Sequence, residues 1–180
     1  RYHDLTFPFR RYQIQKVWRW ERAQGGRYRE FYQADIDIIG NEKLSISADV
    51  EILTTINNVL TDLDIGSYKI HLNNRKILLW FVKYLWTEGD AIEEVIKVID
   101  KMSKIGELEV VAQLELLGLE GNKILQVVEF CRISKRWSEA VLSYLRNLQS
   151  SEIQEGLAEL EIVYRQSLLL WMKEEQIVID

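Results

Sequence analysis

The chain has 180 residues, 47% apolar and 28% charged, the balance of an ordinary globular protein with apolar residues enough for one domain, or one domain and a small companion. Its net charge of −5 excludes a uniformly basic nucleic-acid binder, yet the charge is uneven: Arg1, Arg10, Arg11, Lys16, Arg19, Arg22, Arg27 and Arg29 stand against only Asp4, Glu21 and Glu30 at the N-terminal end. The single cysteine, Cys131, excludes a disulfide framework and a paired-cysteine metal site, and His3 and His71 are too far apart in sequence to suggest a zinc site.

In chain order, residues 9–20, "FRRYQIQKVWRW", alternate as a strand does, and residues 31–39, "FYQADIDII", form a second run rich in aromatic and β-branched residues. Between them Gly25-Gly26 supplies the positive φ that a reversing loop requires, so the two runs predict a long antiparallel hairpin ended by Gly40. Ser47 then heads an amphipathic helix, "SADVEILTTINNVLTDL", with Asp49 and Glu51 in its first turn. Residues 67–73, "SYKIHLN", read as a short strand.

From Asn74 the period becomes helical. Six segments follow: "RKILLWFVKYLW", "DAIEEVIKVIDKMSKI", "ELEVVAQLELLGL", "NKILQVVEFCRI", "SEAVLSYLRNL" and "SEIQEGLAELEIVYRQSLLLWMK", several separated at Gly89, Gly106, Gly118 and Gly121. Their periodicity predicts burial of Trp80, Leu85, Val95, Ile99, Leu114, Val128, Leu142, Leu145 and Leu168, and puts Cys131 on an apolar face as an inert thiol. The closing "EEQIVID" reads as the start of another strand. The class is therefore α+β: a hairpin, a helix and a strand, then an all-helical unit inserted before the sheet resumes. Arg1 and the unfinished final strand suggest a piece of a longer protein. No run of about 18 apolar residues spans a bilayer and no stretch reads as a signal peptide, so the expected compartment is the cytoplasm and no membrane partner is expected.

The arginine-rich loop carries the chemistry. Phe31, Gln33, Asp35 and Asp37 share one face of their strand, and Gln15, Val17, Arg19 and Glu21 share one face of the other. If those faces coincide, one site gains a flat aromatic ring, two amides, an arginine and carboxylates. An arginine fork suits phosphate, and an aromatic face suits a purine. A second reading stays open, in which the hairpin is solvated and its charges pair with one another. That reading leaves Asp35 and Asp37, set inside an apolar strand, harder to explain.

"WRWERAQGGRYREFYQADIDIIG" resembles motif 2 of class II aminoacyl-tRNA synthetases in its histidyl form: aromatic-Arg-x-Glu, a loop, Arg-x-x-x-Phe, then a strand bearing amino-acid ligands. "NNRKIL" and "IDKMSKIG" are also similar to segments of that family. The resemblance is dense over residues 5–106 and thin in the helices beyond, which correspond to the family's variable insertion. Ala23 departs from the proline usual there. The resemblance implies a histidine–tRNA ligase that uses ATP and Mg²⁺ to make histidyl-adenylate and charges tRNA(His), as a homodimer when complete. It implies that Arg19 grips the α-phosphate and is catalytic, that Glu21 positions the adenosine or the tRNA end, and that Arg27 holds the terminal phosphates. Phe31 stacks on adenine, Gln33 receives the histidine ammonium and Asp37 its imidazole N–H. No metal ligand is implied on this chain. Residues 1–73 are then a partial catalytic core, 74–175 the helical insertion and 176–180 a strand returning to the core. The family's motif 1, motif 3, "RGLDYY"-like segment and anticodon-binding domain are expected outside the chain, which alone is expected to be inactive. The alternative implied by resemblance is a non-catalytic regulatory subunit of ATP phosphoribosyltransferase. By the same resemblance the insertion contacts the tRNA acceptor stem, with Lys76, Lys83, Lys123, Arg132, Lys135 and Arg136 as the basic candidates.

Overall fold

A computed structural model describes residues 4–20, 22–85, 92–133, 136–148, 150–170 and 172–180. They form two compact units, residues 1–56 and 57–180. The expected division after residue 73 differs from this boundary, which falls inside a helix.

The first unit is built on the hairpin. β1 (Phe9–Trp18) and β2 (Glu30–Ile39) pair antiparallel without a bulge, in a register that sets Phe9 opposite Ile39, Gln15 opposite Gln33 and Trp18 opposite Glu30. One further backbone bond, from Arg19 N–H to the Arg29 carbonyl at 2.9 Å, extends the ladder beyond the strands. The reversal itself is a tight turn: Arg27 N–H donates to the Gln24 carbonyl at 2.9 Å, and Gly26 takes φ +75°, a conformation that glycine adopts without a Cβ penalty. The first residues of α1 (Ser47–Asp62) belong to this unit, where Arg10 on β1 holds Glu51 through two bonds of 2.5 and 2.8 Å.

The hairpin's two faces are the reverse of the usual pattern. The face of Phe9, Gln13, Val17, Phe31, Gln33, Asp35 and Asp37 is half-buried, although four of these seven are polar. The opposite face exposes Tyr12 at 78%, Ile14 at 71%, Trp18 at 69% and Tyr32 at 70%. Strand alternation alone would place the apolar set inward.

In the second unit β3 (Ile70–Leu72) is shorter than the expected 67–73, and pairs in parallel with β4 (Ile177–Ile179). Among the described residues between them are the helices α2 (Arg75–Leu85), α3 (Ile92–Ile99), α4 (Met102–Ile105), α5 (Glu107–Leu116), α6 (Gly121–Ile133), α7 (Ser138–Arg146) and α8 (Ser151–Leu169). The run "DAIEEVIKVIDKMSKI" reads as one helix in sequence, but its described residues, from Ile92 on, form two. Lys101 N–H turns back to the Val98 carbonyl at 3.1 Å, an i→i−3 bond that tightens the chain out of the α-helical path. Gly89 lies outside the described residues.

The core here is aliphatic and continuous across the helices. Val95, Val110, Leu114, Val127 and Leu142 are each exposed by 1% or less. Of the nine positions expected inside, Leu85, Val95, Leu114, Val128, Leu142 and Leu145 are buried, whereas Trp80, Ile99 and Leu168 are half-buried. Phe81 of α2 stacks on Phe130 of α6 with ring centroids 4.0 Å apart, and Cys131 beside it is buried. Helices α2 and α8 approach closely at Gly156, where a Cβ would come within 2.9 Å of Ile77 Cγ1 on α2. Asn74 fastens the same contact, its amide donating to the Gly156 carbonyl at 3.1 Å and to Glu159 at 2.9 Å.

Candidate nucleotide and amino-acid site

The unbroken register decides which side chains meet. In an antiparallel ladder, directly opposed residues point to the same side. Arg11 thus shares a face with Asp37, Gln13 with Asp35, Gln15 with Gln33 and Val17 with Phe31, and Arg19 follows opposite Arg29. Arg19, Phe31, Gln33 and Asp37 lie on this common face.

The contacts of Arg19, Phe31, Gln33 and Asp35 form one connected row, with a separate pair at Asp37. The Arg19 guanidinium sits 5.0 Å from the centroid of the Phe31 ring and donates to Gln33 Oε1 at 2.6 Å. The Gln33 amide in turn donates to Asp35 Oδ1, while Gln13 Nε2 donates to Asp35 Oδ2 at 3.1 Å. In the separate pair Arg11 Nε lies 2.7 Å from Asp37 Oδ2. The bonds from Gln33 and Gln13 hold the Asp35 carboxyl below the usual aspartate range, more than partial desolvation raises it. The row therefore offers an ionised carboxylate, an oriented amide and a guanidinium stacked on a ring.

The remaining expected site residues fall otherwise. Arg27 stands in the Gln24–Arg27 turn, outside the strand ladder. Glu21 lies outside the described residues. Arg11 and Gln13 were not singled out from the sequence. Their signal is the strand register, which sets them against Asp37 and Asp35 and which the Gly25-Gly26 turn by itself does not give, because the Gln24–Arg27 bridge is three residues out of step with the ladder.

Charges pair with one another on both faces, as Arg11 and Asp37 do on the site face and Lys16 and Glu30 on the other. There Lys16 Nζ meets Glu30 at 2.5 Å, Trp18 Nε1 donates to the same carboxylate at 3.1 Å, and both bonds lower the Glu30 pKa. Three of the basic candidates in the helical unit are also engaged. Lys76 bridges Glu155 at 2.8 Å and Glu159 at 2.6 Å, Arg132 holds Glu107, and Lys83 lies 4.3 Å from the centroid of the Trp80 ring. Lys135 lies outside the described residues. Among the described residues no group of three or more histidine, cysteine, aspartate or glutamate side chains is placed to hold a metal ion.

The profile of the class II tRNA synthetase core domain for glycine, histidine, proline, serine and threonine matches residues 2–129. The chain belongs to this class II synthetase family. Within it, the histidine–tRNA ligase of Finegoldia magna is 43% identical over 179 residues, covering 98% of this chain and 41% of that protein. The corresponding ligase of Clostridium tetani is 45% identical over 166 residues, 90% of this chain and 37% of its own length. The chain thus spans about two fifths of these relatives. The crystal structure of histidyl-tRNA synthetase from Nostoc sp. PCC 7120 superposes with a TM-score of 0.89 at 34% identity, over 99% of this chain and 41% of that one. An ATP phosphoribosyltransferase regulatory subunit/histidyl-tRNA synthetase from Bacillus halodurans superposes with a TM-score of 0.80 at 18% identity, which shows a shared fold. The class II hairpin is accordingly the architecture on which the row from Arg19 to Asp35 and the pair at Asp37 are mounted. No described helix is long and apolar enough to cross a membrane.

Proposed function

We propose that the protein carrying this chain is a histidine–tRNA ligase, joining histidine to ATP as histidyl-adenylate and passing the histidyl group to tRNA(His). The single observation that supports this most is the common face of Arg19, Phe31, Gln33 and Asp37 in an unbroken hairpin. The names of the relatives at 41–45% identity point the same way.

In this reading the histidine carboxylate attacks the α-phosphorus of ATP and pyrophosphate leaves with the P–O bond electrons. Phe31 stacks on adenine, and Arg19, already poised over that ring, lies on the α-phosphate. Its charge–charge contact strengthens as negative charge builds there, which favours the transition state over the bound substrates. Arg27 and Glu21 serve the terminal phosphates and the adenosine or tRNA end. Gln33 Oε1 accepts from the histidine ammonium and Asp37 accepts from an imidazole N–H. The second step is attack by a hydroxyl of the terminal tRNA ribose on the adenylate carbonyl, releasing AMP. Mg²⁺ arrives as the counter-ion of ATP and withdraws charge from the phosphates.

Residues 1–73 and 176–180 then belong to the catalytic core and 74–175 to an insertion that meets the acceptor stem. The working protein is a homodimer in the cytoplasm. The alternative, a regulatory subunit of ATP phosphoribosyltransferase, rests on likeness of fold. Histidine-dependent ATP–pyrophosphate exchange by the full-length protein, followed by charging of tRNA(His), tests the assignment. Absence of exchange with histidine, at concentrations where the protein is folded, refutes it.

A further inference from the structure

We infer that Asp35 is a positioning residue that fixes which end of the Gln33 side chain faces the substrate. The inference rests on the proposed assignment of Gln33 to the histidine ammonium and adds to that site a residue that touches no substrate itself.

A glutamine amide carries an oxygen that only accepts and a nitrogen that only donates. Turned by 180°, it keeps its shape and reverses its chemistry, so a site that needs the oxygen must prevent the turn. Gln33 is held at both ends by groups of fixed sense. An ionised carboxylate only accepts, and Asp35 Oδ1 takes the Gln33 amide N–H. A guanidinium only donates, and Arg19 Nη2 reaches Gln33 Oε1 at 2.6 Å. The reversed amide would set oxygen against carboxylate and N–H against guanidinium, two repulsive contacts in place of two attractive ones. Asp35 is held in turn by Gln13, whose Nε2 donates to the second carboxylate oxygen at 3.1 Å, so the orientation is set by side chains from both strands.

The Arg19 contact alone does not suffice. If Arg19 moves onto a phosphate when ATP binds, Asp35 is the partner that continues to dictate the orientation. Oε1 is then left directed at the ammonium, a donor-only group that the NH₂ end would repel. The depressed pKa of Asp35 keeps it an acceptor throughout the neutral range. An asparagine in its place can present either oxygen or NH₂ and so loses the power to choose.

The test is steady-state pyrophosphate exchange by the full-length protein, comparing wild type with Asp35→Asn, Asp35→Glu, Gln33→Ala and the double variant Gln33→Ala/Asp35→Asn, each checked by thermal melting. Asp35→Asn is expected to raise the KM for histidine about tenfold and to leave the KM for ATP within about twofold, because one hydrogen bond is misdirected on the amino-acid side only. Asp35→Glu, which remains an acceptor, is expected to recover most of that loss. In the Gln33→Ala background Asp35→Asn should add nothing, since its action passes through the amide. A wild-type histidine KM in Asp35→Asn overturns the inference, and so does a full additional loss in the double variant, which would mean that Asp35 acts on substrate or fold directly. If the wild-type protein shows no histidine-dependent exchange, the proposed function fails and carries this assignment with it, an outcome distinct from exchange that is insensitive to Asp35.

Discussion

Arg11 Nε lies 2.7 Å from Asp37 Oδ2, so the carboxylate proposed to receive the imidazole is already paired across the hairpin. Both side chains are more than 40% exposed, and an ion pair in that setting contributes at most about 1 kcal/mol. A substrate N–H can share or displace Arg11 at small cost. Asp37→Asn is expected to lower kcat/KM for histidine by about one to two decades, the effect of losing a charged acceptor worth about 1.5–3 kcal/mol. Asp37→Ala should lose more, because asparagine still accepts. Arg11→Met should change the histidine KM by less than about threefold. Pyrophosphate exchange with histidine varied measures all three, and a larger effect of Arg11→Met than of Asp37→Asn would count against the roles given.

Arg19→Ala should act on the chemical step. Its contact with the α-phosphate strengthens as charge develops, and removal of one such electrostatic donor costs about 10²–10³ in kcat. Single-turnover adenylate formation should slow by this factor while the apparent affinity for ATP shifts far less. An unchanged single-turnover rate would remove Arg19 from the catalytic role.

Gly156→Leu is expected to destabilise the helical unit by about 1–3 kcal/mol, read as a lowered Tm, because overpacking forces α8 away from α2. A single Cβ already falls 2.9 Å from Ile77 Cγ1 and 3.3 Å from Lys76 Cβ, and the same displacement would loosen the Asn74 bond to the Gly156 carbonyl.

Ser138→Ala should cost about 1–3 kcal/mol, the penalty for leaving buried polar groups without a partner. The buried Ser138 hydroxyl donates to the Ile177 carbonyl at 3.2 Å and accepts from Ile179 N–H at 3.3 Å, tying the start of α7 to β4. Chemical denaturation of the two proteins compares them directly. Equal midpoints and slopes would show that this tie adds nothing.

Acid should weaken the α2–α8 contact. Hydrogen bonds from Lys76 and Asn74 hold the Glu159 carboxyl below its ordinary value of 4.5. The folded state thus binds that proton less readily than the unfolded chain. Its contribution is complete above the unfolded value and is lost as pH falls through the lowered folded value. Thermal melts from pH 7 down to about pH 3 should show Tm declining in that acid window, less steeply in Glu159→Gln than in wild type.

Much of this was legible in the chain itself, for local reasons. Alternation in "FYQADIDII" settles that Phe31, Gln33, Asp35 and Asp37 share a strand face, since successive side chains point to opposite sides whatever the fold. Helical period likewise marks the segments that became α2 and α5–α8, and most of their buried positions. Pairing was not legible, because register is a property of two segments. The ladder, three residues out of step with the Gly25-Gly26 turn, sets Arg11 against Asp37 and Gln13 against Asp35, and brings Arg19 to the Gln33 amide that Asp35 holds at its other end. The same holds for β3 and β4, whose parallel pairing joins Ile70 to Ile177 across the whole helical unit. The break at Asp100–Lys101 escaped the periodicity, since α3 and α4 continue one apolar pattern through it. Which side chains of the hairpin are half-buried was also beyond the sequence, because hydropathy argues for Tyr12, Ile14, Trp18 and Tyr32, whereas the side chains that lose exposure are Gln13, Gln33, Asp35 and Asp37, which contact their neighbours across and along the strands.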